Sequence, residues 1–171
     1  MEFSNVVNAR YSVRKYKDTP VEADKLERIL KSASLAPTAK NTNCVRIYAV
    51  TDKQKIAALK EVTPCTFDAP LLLVVCSDEN EAWVSSRTGK SHGMMDASIA
   101  ADHMMLTAVN EGLGTCWVCL FDPTLMKEAL KMPENVCPHC IIECGYAADD
   151  SVPNERHGIR IPMDKLVTYV K

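Results

Sequence analysis

Two arginines flank a serine at every second residue in Arg10-Tyr11-Ser12-Val13-Arg14. In an extended chain successive side chains alternate faces, so Arg10, Ser12 and Arg14 would share a face and reach different oxygens of one anion. Guanidinium groups suit that task, because they stay charged and present a planar fork of donors that matches a phosphate. The same spacing also describes an exposed basic strand edge, since arginine is a surface residue by default. The rest of the chain decides between the two.

The eight cysteines are the second set of residues with chemistry to offer. Cys116, Cys119, Cys137 and Cys140 read C-x2-C-x17-C-x2-C, a spacing that on paper fits a zinc ribbon. Ribbon pairs sit on tight knuckles, however, and Cys116 to Phe121 is an apolar run in which Cys116 and Cys119 would face opposite sides of a strand. Cys137-Pro138-His139-Cys140 looks like a dithiol redox motif, yet such motifs open helices and the following Ile141-Ile142-Glu143-Cys144 is strand material. Free buried thiols are therefore the default expectation. His92 and Asp96 stand one helical turn apart; with no third ligand they read as a helix-surface pair in which Asp96 caps or pairs structurally, and no metal site is expected. Met94, Met95, Met104 and Met105 read as core filling. No serine or cysteine has a neighbouring base that would make a hydrolytic triad.

With 171 residues, 47% hydrophobic and 25% charged, the chain has enough material for one domain with a real core. Its 20 basic and 22 acidic residues leave no excess charge to attract nucleic acid or a polyanionic surface. No apolar run approaches the roughly eighteen residues of a membrane span, and Met1 to Asn5 lacks the regions of a secretory signal, so a cytoplasmic location is expected. Small-molecule chemistry is the expected business.

These residues need elements to position them. Leu26, Ile29, Leu30, Ala33 and Leu35 follow helical spacing between Val21 and Ala36, with Pro37 as the stop. Ile47 to Val50 reads as a strand, Asp52 as the N-cap of a helix through Val62, and Pro70 to Cys76 as the clearest buried strand. Glu79 to Lys90 reads as a mobile loop or an insertion over a site. His92 to Glu111, stopped by Gly112, is apolar on more than one side and so predicts a central helix. Thr115 to Phe121 predicts a strand, Asp122-Pro123 opens a helix through Leu130, and Cys140 to Tyr146 predicts another strand. This alternation predicts a sheet covered by helices. No Gly-x-Gly-x-x-Gly follows any strand, so a phosphate grip must come from side chains.

Four segments together resemble the flavin-dependent nitroreductase family in its short form. Arg10-Tyr11-Ser12-Val13-Arg14-Lys15-Tyr16 is similar to that family's Arg-x-Ser-x-Arg/Lys-x-Phe/Tyr motif, and Ala36-Pro37-Thr38-Ala39-Lys40-Asn41-Thr42-Asn43 to its Pro-Ser-x-x-Asn-x-Gln loop. The helix containing Asp96 that leads into Gly112-Leu113-Gly114-Thr115-Cys116-Trp117, and Arg160-Ile161-Pro162 near the C-terminus, complete the order. The resemblance implies a single domain over residues 1–171 with an α+β fold, a mixed sheet flanked by helices, and an intertwined homodimer with FMN at its interface.

Carried onto this chain, the resemblance implies that Arg10 and Arg160 neutralise the FMN phosphate and Ser12 bonds it or the ribityl chain. Arg14 approaches the ribityl and the N1/O2 edge. Pro37, Thr38 and Asn41 are implied contacts, with Thr38 and Asn41 supplied by the partner subunit. Trp117 and Val118 pass the flavin, with the backbone of Cys119 and Leu120 near N5. The implied activity is transfer of electrons from NAD(P)H to a small acceptor such as a nitroaromatic or quinone. Three departures stand out: Asn43-Cys44-Val45 where relatives have Gln-Pro-Trp, Cys119-Leu120 where they have Gly-Gly or Glu-Gly, and Gly158 where some have a basic residue, a loss for which Arg156 or His157 is placed to compensate. Leu120 motivates an alternative, a flavin-storing protein without fast turnover; the paired cysteines motivate a thiol or zinc protein.

Overall fold

The computed structural model describes residues 1–171. In chain order it contains helix α1 (Phe3–Ala9), α2 (Ala23–Ser34), strand β1 (Val45–Val50), α3 (Lys53–Ala58), β2 (Leu71–Asp78) and α4 (Gly93–Asn110). These are followed by β3 (Gly114–Val118), α5 (Pro123–Leu130), β4 (Val136–Gly145) and a short α6 (Met163–Leu166). The strands form one sheet in the order β1-β2-β4-β3, each pair antiparallel. A parallel bridge from Ser12 to Thr115 adds the N-terminal segment beside β3 and supplies the one parallel pairing of an otherwise antiparallel sheet.

Alternation along β2 and β4 builds two cores. Leu71, Leu73 and Val75 join Cys140, Ile142 and Cys144 beneath α2 and α4. Leu72, Val74 and Cys76 join Cys116, Val118 and Ile141 beneath Ile56 of α3 and Met126 of α5. Fully burying each large apolar side chain contributes about 1.5–3 kcal/mol, so a one-residue slip, which would send every side chain to the wrong core, is strongly disfavoured. Ala97, Ala100, Ala101 and Ala108 let α4 lie close on the sheet and on α2. It ends at Gly112, whose φ of 81° suits glycine. The Asp52 carboxylate accepts from Lys55 N, and that of Asp122 from Thr124 and Leu125 N ahead of Pro123, as the sequence leads one to expect. No helix is long and apolar enough to cross a membrane.

Some boundaries differ from the sequence expectations. Helix α1 carries only one buried residue, Val6, and so leaves no apolar periodicity to read. Strand β3 stops at Val118 instead of Phe121, because Thr63 Oγ1 donates to Leu120 O (2.6 Å) and Asp122 N to Val62 O (3.2 Å), turning the chain out of the sheet into α5. Strand β4 begins at Val136, so the Cys137-Pro138-His139-Cys140 motif lies inside a strand, with Pro138 at a register irregularity where its missing N–H is tolerated. The 79–90 stretch is anchored: Val84 bridges Ser91, and Trp83 stacks on His92 with ring centroids 4.7 Å apart. In the C-terminal segment Pro162 stands as the N-cap of the short α6.

Candidate functional site

The segment from Ser12 to Lys17 is held from two sides. Val13 N donates to Thr115 O at 2.9 Å beside β3, while Lys17 N donates to Tyr146 O and Ala148 N to Lys15 O on the other side. Lys15 and Lys17 pair with Asp150 and Asp149, each at 2.5 Å. The Tyr11 hydroxyl lies 3.3 Å from Ser151 O, and its ring meets His157 edge-on at 6.3 Å. Val13 is buried, whereas Ser12 and Arg14 open together into one cleft, which is the alternation expected of an extended run.

That cleft has a volume of about 460 Å³ and is lined only by polar or charged residues: Ser12, Arg14, Asn154, Glu155, Arg156 and His157. Arg160 adjoins it, its guanidinium accepted by the carbonyls of His157 and Ile159. Arg10 stands at the end of α1, two residues before Ser12, partly buried. Arg28 and Arg46 each bridge two carboxylates, yet Arg10, Arg14, Arg156 and Arg160 have no carboxylate partner. A polar cleft lined by Arg14 and Arg156, with Glu155 as its one carboxylate, has donors of the kind that suit an anion. The sequence raised Arg156 and His157 only as stand-ins for Gly158; their place beside Ser12 and Arg14 comes from the 146–151 segment pairing along the motif.

The other expected contacts lie elsewhere in the single chain. Thr38 lines a separate hollow of about 230 Å³ with Leu30, Ala33, Asn43, Val45 and Ile47, and Pro37 and Asn41 flank it on the same exposed loop. The loop carries Lys40, Asn41 and Asn43 at φ between 53° and 55°, a left-handed conformation unfavourable for non-glycine residues. It is held by Asp96 of α4, whose Oδ1 accepts from Ala39 N (3.0 Å) and whose Oδ2 accepts from Cys44 Sγ (3.4 Å). Asp96 is 2% exposed, so it is buried and not on the helix surface, and it pairs structurally with the loop, the role expected of it from the sequence. Trp117 is half-buried and Val118 buried in β3, whereas Cys119 and Leu120 are exposed just past its end, with Trp117 Nε1 donating to Cys119 Sγ at 3.2 Å.

Cys116 faces the core and Cys119 the solvent. Burial pushes the Cys116 thiol up to about 11 and the Cys76 thiol to about 12, and raises that of Cys140 as well. Ser77 meets His139 Nε2 at 2.6 Å, a juxtaposition invisible in the sequence. Ser77 is 0% exposed and its hydroxyl is donated to Glu79, so the carboxylate engages the serine and not the imidazole. That order does not make a hydrolytic relay.

A family model for the nitroreductase family matches residues 7–68 and 63–146. The structure of a nitroreductase family protein from Clostridium difficile 630 is 37% identical and superposes with a TM-score of 0.93, covering 100% of this chain and 99% of that one. An FMN-dependent nitroreductase from Clostridium difficile R20291 is 30% identical with a TM-score of 0.80, covering 97% of this chain and 98% of that one. The FMN reductase [NAD(P)H] of Bacillus subtilis is 29% identical over 163 residues, 85% of this chain and 66% of that protein. The two-sided sheet, the arginine-lined cleft and these likenesses agree: the chain belongs to the nitroreductase family.

Proposed function

We propose that this protein is an FMN-dependent oxidoreductase that passes electrons from NAD(P)H to a small organic acceptor, and that it works as a homodimer. The observation that carries the reading is the cleft lined by Ser12, Arg14, Arg156 and His157, whose two arginines have no carboxylate partner. A phosphomonoester carries about two negative charges and three strong acceptors, and this donor set fits it. The named activities of the FMN-dependent relatives support the same choice.

In this reading Arg10, Arg156, His157 and Arg160 hold the phosphate end and Ser12 bonds it or the ribityl chain. Arg14 keeps positive charge near the N1/O2 edge, where it favours a reduced, more negative ring. The exposed residues Cys119 and Leu120 lie beside N5, with Trp117 and Val118 as the wall beneath. FMN, when bound, supplies the two-electron chemistry that links NAD(P)H to a nitroaromatic or quinone in ping-pong order. Pro37, Thr38 and Asn41 sit on a different side of the chain from the cleft, so they complete a site only from a second copy. The left-handed turns of their loop and its anchor on Asp96 keep them in place for that role.

The test is the absorption spectrum of protein reconstituted with FMN, followed by anaerobic addition of NADH or NADPH. Bound flavin that bleaches within seconds is expected. Failure to bind FMN sinks the reading, whereas flavin that binds but does not bleach favours storage, the alternative suggested by the 64% exposed Leu120 at the strand end.

A further inference from the structure

Glu143 has no part in the scheme above. It is 0% exposed, and neither carboxylate oxygen has a hydrogen-bond partner. In β4 it stands opposite Cys116 of β3 and Leu72 of β2, so its side chain leaves the sheet on the face they share. The segment carrying Arg14 runs over this same face. The Tyr16 ring packs on Gly145, where an added Cβ would lie 3.2 Å from Tyr16 Cδ1, and the Tyr16 hydroxyl is 3.5 Å from Glu143 O. Arg14 in turn stands 5.9 Å over the ring of Phe67, which packs on the same cluster.

A leucine here would keep the packing without the cost of burying an unpaired acid. Groups that break a local rule at a cost in stability concentrate at functional sites. The groups facing the carboxyl are Arg14 and Tyr16 from the N-terminal segment, Cys116 from β3 and Asp68 from the loop before β2. Burial above all, and then Asp68, push Glu143 up to about 8, while Arg14 pulls the other way. Burial also keeps Tyr16 and Cys116 neutral. The charge of Arg14 is therefore what favours an ionised Glu143, and an anion bound at Arg14 cancels it.

We propose that Glu143 is a positioning residue acting through Arg14: it holds a proton while a bound anion engages Arg14, and once ionised it competes with that anion for the same charge. The inference rests on the flavin reading of the cleft and deepens it. Loading FMN draws a proton onto Glu143 near pH 8, and FMN affinity falls as pH rises beyond that. Neutral Glu143 thus leaves the Arg14 charge free for the ligand.

The experiment is calorimetric titration of the apoprotein with FMN at pH 8 in two buffers of different ionisation enthalpy, which counts protons taken up without reference to turnover. At that pH the phosphate has already lost its second proton, so FMN itself contributes none. A fractional proton uptake in the parent that is abolished in Glu143→Gln is expected, with the parent alone losing affinity several-fold between pH 7 and pH 9. Uptake that persists unchanged in Glu143→Gln would place the proton on another group and overturn the proposal. FMN binding with no uptake in the parent would overturn it too while leaving the flavin reading intact. No FMN binding at any pH would overturn both. Glu143→Leu, an apolar replacement of similar size beside Leu72 and Ile141, carries the comparison if the glutamine variant does not fold.

Discussion

Val13 occupies the space that a side chain on Gly114 would need. A Cβ there would stand 2.5 Å from Val13 Cγ2, and the neighbouring Val13 N donates to Thr115 O at 2.9 Å. Ser12 and Arg14 are thus aimed by a packing contact outside the cleft. Gly114→Ala must push Val13 away, at about 1–3 kcal/mol of overpacking. FMN affinity is expected to fall at least tenfold although position 114 touches no ligand. Flavin fluorescence titration beside urea unfolding checks this, and unchanged affinity at lowered stability would refute the aiming role.

Arg10→Ala and Arg160→Ala should each weaken FMN binding at least tenfold, since a charged hydrogen bond contributes about 1.5–3 kcal/mol. Riboflavin, which lacks the phosphate, should lose much less. Arg156→Ala is expected to behave like them because it lines the cleft. Equal losses for both ligands would show that these arginines do not read the phosphate.

An obligate dimer is expected. Ile159, Ile161, Met163, Leu166, Tyr169 and Val170 are between 59% and 93% exposed in the single chain, an apolar surface suited to a second copy. Light scattering of the FMN-loaded protein at micromolar concentration should give twice the chain mass of 18.9 kDa. A monomeric mass would contradict the placement of Thr38 and Asn41 in the partner's site.

The cysteines should be dispensable for turnover. Cys119→Ser is expected to keep FMN and most activity, and Cys137→Ser with Cys140→Ser to leave NAD(P)H-dependent flavin reduction within a few fold. Cys140 is buried and its thiol is pushed up, so it lacks the environment of a reactive thiolate. Loss of reduction with FMN still bound, or stoichiometric zinc in the parent, would restore the paired cysteines as the working groups.

Stability should depend on pH through Glu143. Its folded value, about 8, lies above the ordinary 4.5, so the folded state binds more protons across that window. The favourable contribution is complete below about pH 4.5 and is lost as pH rises toward 8, at up to about 1.4 kcal/mol per unit. Glu143→Leu should therefore gain on the parent across this range in urea unfolding at stepped pH, and a constant difference between the two would count against the assignment.

Much of this molecule was legible in the residues alone, because the signals act over a few positions. Asp52 and Asp122 cap helices by reaching two or three residues ahead, Gly112 ends one by its own backbone freedom, and the alternation in Arg10-Tyr11-Ser12-Val13-Arg14 separates a buried Val13 from an open Ser12 and Arg14. The family resemblance, the α+β class and most of the strands followed from such local patterns taken in order. Only the tertiary structure decided what strand pairing brings together across the chain. It set Arg156 and His157 beside Arg14, put Ser77 against His139, and gave the structural pairing of Asp96 its partner, the loop at Ala39 and Cys44. It also placed the Glu143 carboxyl, which the sequence shows as one acidic letter in a strand, unpaired beneath the arginine segment. Contacts of this kind depend on sheet register and on which face each residue takes. Those are fixed by burying two cores at once, a condition that no window of neighbouring residues contains.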